Sequence, residues 1–100
     1  RAIQIADHTK SKHRIQITFQ TKCVLFAFIF CIIYDTDPYI QICKEKGIDS
    51  IEDMAESFQG CKGYVGHPEA TITMFSFGLI KIQTAFFGAV SVFRDMSLFE

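Results

Sequence analysis

The sequence predicts a mainly α fold: a two-span transmembrane helical hairpin with a short helical acidic loop between the spans. Three observations lead there. The 100 residues are 49% apolar and 21% charged, with a mean hydropathy of +0.21, which is rich for so small a domain. Two apolar runs, 23–34 and 70–93, stand out, the second broken only by Lys81, Gln83 and scattered hydroxyls. Charge is also segregated. Five basic residues oppose Asp7 in 1–22, eight acids oppose three lysines in 35–69, and Arg94 closes the second run. That alternation fits a hairpin with both termini on the positively biased side.

Residues 1–16 form a basic arm, with Arg1, Lys10, Lys12 and Arg14 as a solvated flank and His8 and His13 among them. Arg1 in place of a methionine predicts a processed product or a piece of a longer chain. The first span is placed at 17–34. Its apolar core of 12 residues is short against the roughly 20 needed, so the span takes in Gln20 and Thr21, with Lys22 snorkelling to the basic side. A core of that length also suits a secretory signal, but Tyr34-Asp35-Thr36 offers no small-residue cleavage site.

The acidic loop, 35–69, is expected to hold two short helices. Asp37 caps the first, Pro38 takes its first position, and Gly47 stops it after Lys46. The second starts at Asp49, with Glu52 completing a capping box, and lines up Ile51, Met54, Ala55 and Phe58 as far as Gly60. Residues 60–69, with Gly60, Gly63, Gly66 and Pro68, read as a loop. Tyr34, Tyr39 and Tyr64 all fall in or beside this segment, as an interfacial belt would place them.

The second span is placed at 70–93 and the tail at 94–100. In helical projection Lys81 shares a stripe with Met74, Gly78, Ala85 and Gly88, opposite a bulky stripe that includes Ile72, Phe75, Leu79 and Phe86. Small residues beside a buried cation predict a face packed on protein, with lipid on the other.

A soluble α+β domain is the alternative: two β-hairpins around a helix, with strands at about 13–20, 23–33, 71–80 and 82–93. Ile15, Ile17 and Phe19 alternate with polar residues, as a half-buried strand would. Fourteen isoleucines and eleven phenylalanines against three leucines suit strands in water and helix surfaces in lipid alike.

Chemistry is sparse. Cys23 and Cys31 sit in the apolar run as small buried thiols. Cys43 and Cys61, each near the end of an expected helix, are candidates for a disulfide. With His67 they fall short of a zinc set, lacking a fourth ligand and the short paired spacing. Asp35-Thr36-Asp37 is similar to the paired-acid signature of metal-dependent sugar transferases, but their large nucleotide domain does not fit in this length. No phosphate loop, nucleophile elbow or metal-binding helix motif occurs. A net charge of −1 argues against nucleic acid as a partner.

The functional expectation is therefore a small non-catalytic integral membrane subunit, without metal or cofactor. It would pack against other membrane subunits and lipid in a larger, energy-converting complex of an organelle inner membrane. Two alternatives come from other classes: a soluble α+β binding domain, and a membrane thiol oxidoreductase using Cys43 and Cys61.

Overall fold

The computed structural model describes residues 2–6, 17–78 and 87–98, the first of these as backbone. Five strands lie across one sheet in the order of the sequence: β1 (Ala2–Ala6), β2 (Thr21–Ala27), β3 (Asp49–Asp53), β4 (Ile72–Ser76) and β5 (Ala89–Phe93). The first four run parallel, and β5 returns antiparallel to β4. A single α-helix among the described residues, α1 (Asp37–Glu45), carries the chain from β2 to β3, and a short 3-10 turn (Met96–Leu98) follows β5.

The transmembrane hairpin expected from the sequence is thus overturned. Among the described residues no helix is long and apolar enough to cross a membrane. The integral membrane location, and the sidedness of the termini that went with it, lose their basis. The physical reason is that parallel strands covered on their faces read as near-continuous apolar runs, giving the same hydropathy signal as a span. The first run folds as β2 and then breaks into a turn. The second contains β4 and β5, which lie side by side instead of end to end. The α+β alternative is nearer: its strands at about 71–80 and 82–93 answer to β4 and β5, which pair antiparallel, whereas β2 pairs in parallel with β1 and β3 and not in a hairpin. Of its first strand, 17–20 leads into a turn with Phe19 92% exposed; residues 13–16 lie outside the described part.

Period-two alternation explains the packing. Val24 and Phe26 of β2, Ser50 and Glu52 of β3, and Thr73 and Phe75 of β4 are buried on one face, while their neighbours in each strand are half-buried or exposed. Helix α1 lays Ile40 and Cys43 on that buried face, and Phe28, Met54 and Ala70 complete the core. Tyr34 stacks on Phe28 with ring centroids 4.6 Å apart, and Phe58 meets Phe75 and Phe77 edge-on.

The first expected helix forms within a residue of its limits. Its N-cap is Thr36, not Asp37, and Gly47 at φ +63° turns the chain out after the Lys46 C-cap. The second expected helix does not form. Asp49–Asp53 is the central strand β3, so the supposed capping box is a strand in which Asp49 is exposed while Glu52, three residues on and therefore on the opposite face, is buried.

Candidate functional site

Glu52 lies at the centre of the sheet with no solvent exposure. Register places it between Phe26 of β2 and Thr73 of β4, toward the carboxyl ends of the parallel strands. An isolated carboxylate there would carry a desolvation penalty of several kcal/mol. It is met instead by four donors. Tyr64 Oη and Thr36 Oγ1 donate to Oε1 at 2.6 and 3.2 Å. The backbone N–H of His67 and Thr73 Oγ1 donate to Oε2 at 2.8 and 3.0 Å. Four donors fill the four lone-pair sites of an ionised carboxylate.

Each donor is placed by a local reason. Thr36 is the α1 N-cap, yet its hydroxyl makes no capping bond because it is turned to Glu52. The orphan first-turn donors are met otherwise: Asp35 Oδ1 accepts from Asp37 N–H at 3.0 Å, and Thr36 O accepts from Tyr39 and Ile40. His67 is brought in by Gly66, whose φ is +100° and whose backbone rests on Thr73. A Cβ at Gly66 would fall 2.3 Å from Thr73 Oγ1 and 2.7 Å from its Cγ2. Only glycine satisfies both conditions.

A second ring of contacts ties this carboxylate to charge. Arg94 Nη1 donates to Thr73 Oγ1 at 2.9 Å and to Ala70 O at 3.3 Å. Thr73 therefore accepts from the guanidinium and donates to the carboxylate. The His67 ring accepts from Glu69 N–H at Nδ1, 3.1 Å, which leaves the proton on Nε2 to donate to Asp37 Oδ1 at 3.0 Å. Glu69 in turn takes hydrogen bonds from Lys44 and Gln41 of α1, and these hold its carboxyl below the usual range. Burial, and the bond to Glu52, push the Tyr64 phenol well above its ordinary value, so it stays a donor.

A different feature stands at the same edge of the sheet. Residues Ile29–Ile32 make a tight turn, with Ile32 N–H donating to Ile29 O at 3.1 Å. Its central pair, Phe30 (φ +54°) and Cys31 (φ +59°), are both left-handed without being glycine. That conformation costs about 1–2 kcal/mol per residue. The turn is clamped from the segment after β3. Glu56 Oε2 accepts from Phe30 N–H, Glu56 O accepts from Cys31 Sγ, and Gln59 Nε2 donates to Cys31 O. Ser57 Oγ donates to Phe28 O just before it. So held, Phe30 is 74% exposed and Ile32 is exposed beside it.

The residues singled out from sequence are dispersed. Met74 is half-buried on β4, Gly78 follows that strand, and Gly88 (φ +128°) precedes β5, so they share no helical stripe. Lys81 and Ala85 of the same expected stripe lie outside the described residues. Cys43 is buried on the inner face of α1 and Cys61 is exposed on the 60–69 loop; both are free thiols, and the candidate disulfide is not formed. Burial pushes the Cys43 thiol up, which disfavours the reactive thiolate. The thiol oxidoreductase reading thereby loses its pair.

Sequence reasoning missed Glu52, Tyr64, Thr73 and Arg94 as a group. The nearest signal was a loop containing Gly63, Tyr64, Gly66 and His67 after an acidic pair. No cluster of three or more His, Cys, Asp or Glu is placed to hold a metal ion among the described residues. A cleft of about 370 Å³ opens at the far end of the sheet, between Thr18, Thr21, Lys22 and Lys46, but the two threonine hydroxyls are engaged around one turn. No family model matches the chain, and no curated protein matches it either.

Proposed function

We propose that the chain is a non-catalytic α+β domain that binds a polypeptide partner through the carboxyl edge of its parallel strands, with Phe30 as the anchor. The observation that carries this is the turn at Ile29–Ile32. Two strained residues are held in place by bonds from 56–59, and the product of that arrangement is an aromatic side chain standing in solvent. Strained backbone persists where surrounding structure over-determines it, and ligand clamps are one such place. The non-catalytic part rests on the Glu52 cluster, where the carboxylate is held by the Tyr64 phenol and the His67 backbone N–H, while the His67 imidazole is engaged by Asp37 and by the Glu69 N–H, so that these groups hold loops in position.

The test is selection of peptides from a displayed random library against the folded domain, followed by NMR mapping. Enriched peptides are expected to shift resonances of 28–36 and 56–59. Phe30→Ser is expected to weaken them by about tenfold or more, as for an aromatic hot spot. Binding that maps elsewhere, or is indifferent to Phe30→Ser, overturns the reading.

A further inference from the structure

The cleft at the amino ends of the strands is built from two segments, the turn before β2 and the exit of α1. Its floor is Ile17 and Ile48, both half-buried and packed on the core. Phe19 stands in its wall, 92% exposed. Lys22 and Lys46 are the charged residues of the lining; both are exposed, and neither makes an ion pair among the described residues. Glu45 and Asp49 are close in the chain but are not part of the lining. The carbonyls at the exit of α1, which would repel an anion, are occupied. Ile42 O, Cys43 O and Lys44 O accept from the N–H groups of Lys46, Ile48 and Gly47. A volume of about 370 Å³ lies within the range of small-molecule sites.

Hydrogen accounting at the two threonines favours the same class of ligand. Thr21 lines the cleft at 4% exposure, and its Oγ1 accepts from Thr18 N–H at 3.0 Å; Thr18 Oγ1 accepts from Gln20 N–H at 3.3 Å. Each oxygen is thus turned toward an N–H, and each hydroxyl still has its own hydrogen to give. The two oxygens lie 3.5 Å apart, so no more than one hydrogen is spent between them and another is left to donate. Two ammonium groups and a hydroxyl donor call for a negative group, and lysine takes phosphate as a point charge. Phe19 and the isoleucines offer a ring a flat face and an apolar floor. We propose that this cleft binds a small aromatic phosphate, with the phosphate between Lys22 and Lys46 and the ring against Phe19. The site is separate from the Phe30 turn, which lies at the opposite end of the strands.

NMR titration of the isotope-labelled full chain tests this, with phenyl phosphate and adenosine monophosphate as probes. Benzyl alcohol and inorganic phosphate supply the ring and the charge separately. Both aromatic phosphates are expected to shift the amides of 17–22 and 46–48 saturably, and to bind about tenfold or more tighter than either half alone. Lys22→Gln with Lys46→Gln is expected to weaken them about tenfold or more and to remove the salt dependence of binding. Phe19→Ala is expected to weaken phenyl phosphate about tenfold, as for a ring stacked on an aromatic side chain, and to leave inorganic phosphate unchanged. All three side chains are exposed, and circular dichroism checks that the variants fold. Tighter binding of adenosine monophosphate than of phenyl phosphate would identify a nucleotide as the ligand, and equal binding a phosphorylated ring in general. Shifts that do not saturate by about 10 mM, tenfold above a millimolar dissociation constant, overturn the proposal. So do shifts that map outside the cleft, or inorganic phosphate binding as tightly as phenyl phosphate. Each of these would leave the Phe30 surface standing.

Discussion

Tyr64 donates its phenolic hydrogen to Glu52 across 2.6 Å, joining the 60–69 loop to the central strand. The contact is reciprocal in its effect. The carboxylate gains a donor in a site closed to water, and the phenol gains an acceptor that keeps it protonated. Three further donors from α1, the loop and β4 converge on the same two oxygens. One side chain thus fixes the relative positions of four segments.

Replacing that side chain tests the arrangement. Glu52→Gln keeps the shape but turns an amide N–H₂ toward donors, leaving buried groups unpaired. The expected loss is about 3–5 kcal/mol, a large share of what a domain of this size possesses. Urea unfolding by circular dichroism measures it. A change within 1 kcal/mol, an order-of-magnitude threshold set by ordinary surface substitutions, would show the cluster to be dispensable.

Alkaline titration tests Tyr64. Below its ordinary pKa of 10.0 the phenol is protonated in folded and unfolded chains, and contributes no pH dependence. Above that value the unfolded chain releases the proton while the folded chain retains it, so stability falls as pH rises. Absorbance of tyrosinate is expected to show Tyr64 ionising only as the fold is lost. Tyr64→Phe should flatten that alkaline slope while lowering stability at neutral pH by about 1.5–3 kcal/mol, the worth of a hydrogen bond to a charged group.

Gly66→Ala adds one methyl group where Thr73 already lies within 3 Å, and at a φ of +100°. Overpacking and left-handed strain together predict a loss of about 2–4 kcal/mol. Gly47→Ala has the strain without the collision, because nothing lies within 4 Å. It should be the milder of the two in parallel melts.

The turn offers a test in the opposite direction. Phe30→Asn with Cys31→Gly installs the pair that left-handed two-residue turns prefer, and should stabilise the fold by about 1 kcal/mol. Peptide binding should fall at the same time. A gain in stability with binding intact would mean that the strain serves no recognition.

Thiol labelling checks the cysteines. Cys61 should react with a polar alkylating reagent in the native state, and Cys43 only on unfolding. A mild oxidant should leave no Cys43–Cys61 bridge in the monomer.

Much of α1 was legible, because Pro38 and Gly47 are local signals whose meaning does not depend on distant partners. The strand β3 was not. Ile51, Met54, Ala55 and Phe58 satisfy a helical period, and Glu52 three residues after Asp49 imitates a cap. What makes 49–53 a strand is pairing on both sides, with β2 and β4. What makes Glu52 tolerable inside is a set of donors 12 to 21 residues away. Neither can be read from a window of sequence. The apolar runs carried a usable hint in their excess of isoleucine and phenylalanine over leucine, but hydropathy and charge segregation pointed to lipid with equal force. The strained turn left no sequence signal, since Phe30 and Cys31 are residues that such turns avoid.

The sheet order has a consequence for how the chain is made. Each strand lies beside the one synthesised before it, so the sheet can grow from one edge as residues leave the ribosome. Glu52 interrupts this growth. When β3 emerges, Thr36 is the one donor to Glu52 already available; Tyr64, His67 and Thr73 are still to be translated, the last of them 21 residues later. Closing α1 over β3 before then would bury a charge with most of its donors missing. Full burial of this carboxylate is therefore compensated only once the chain through β4 has been made.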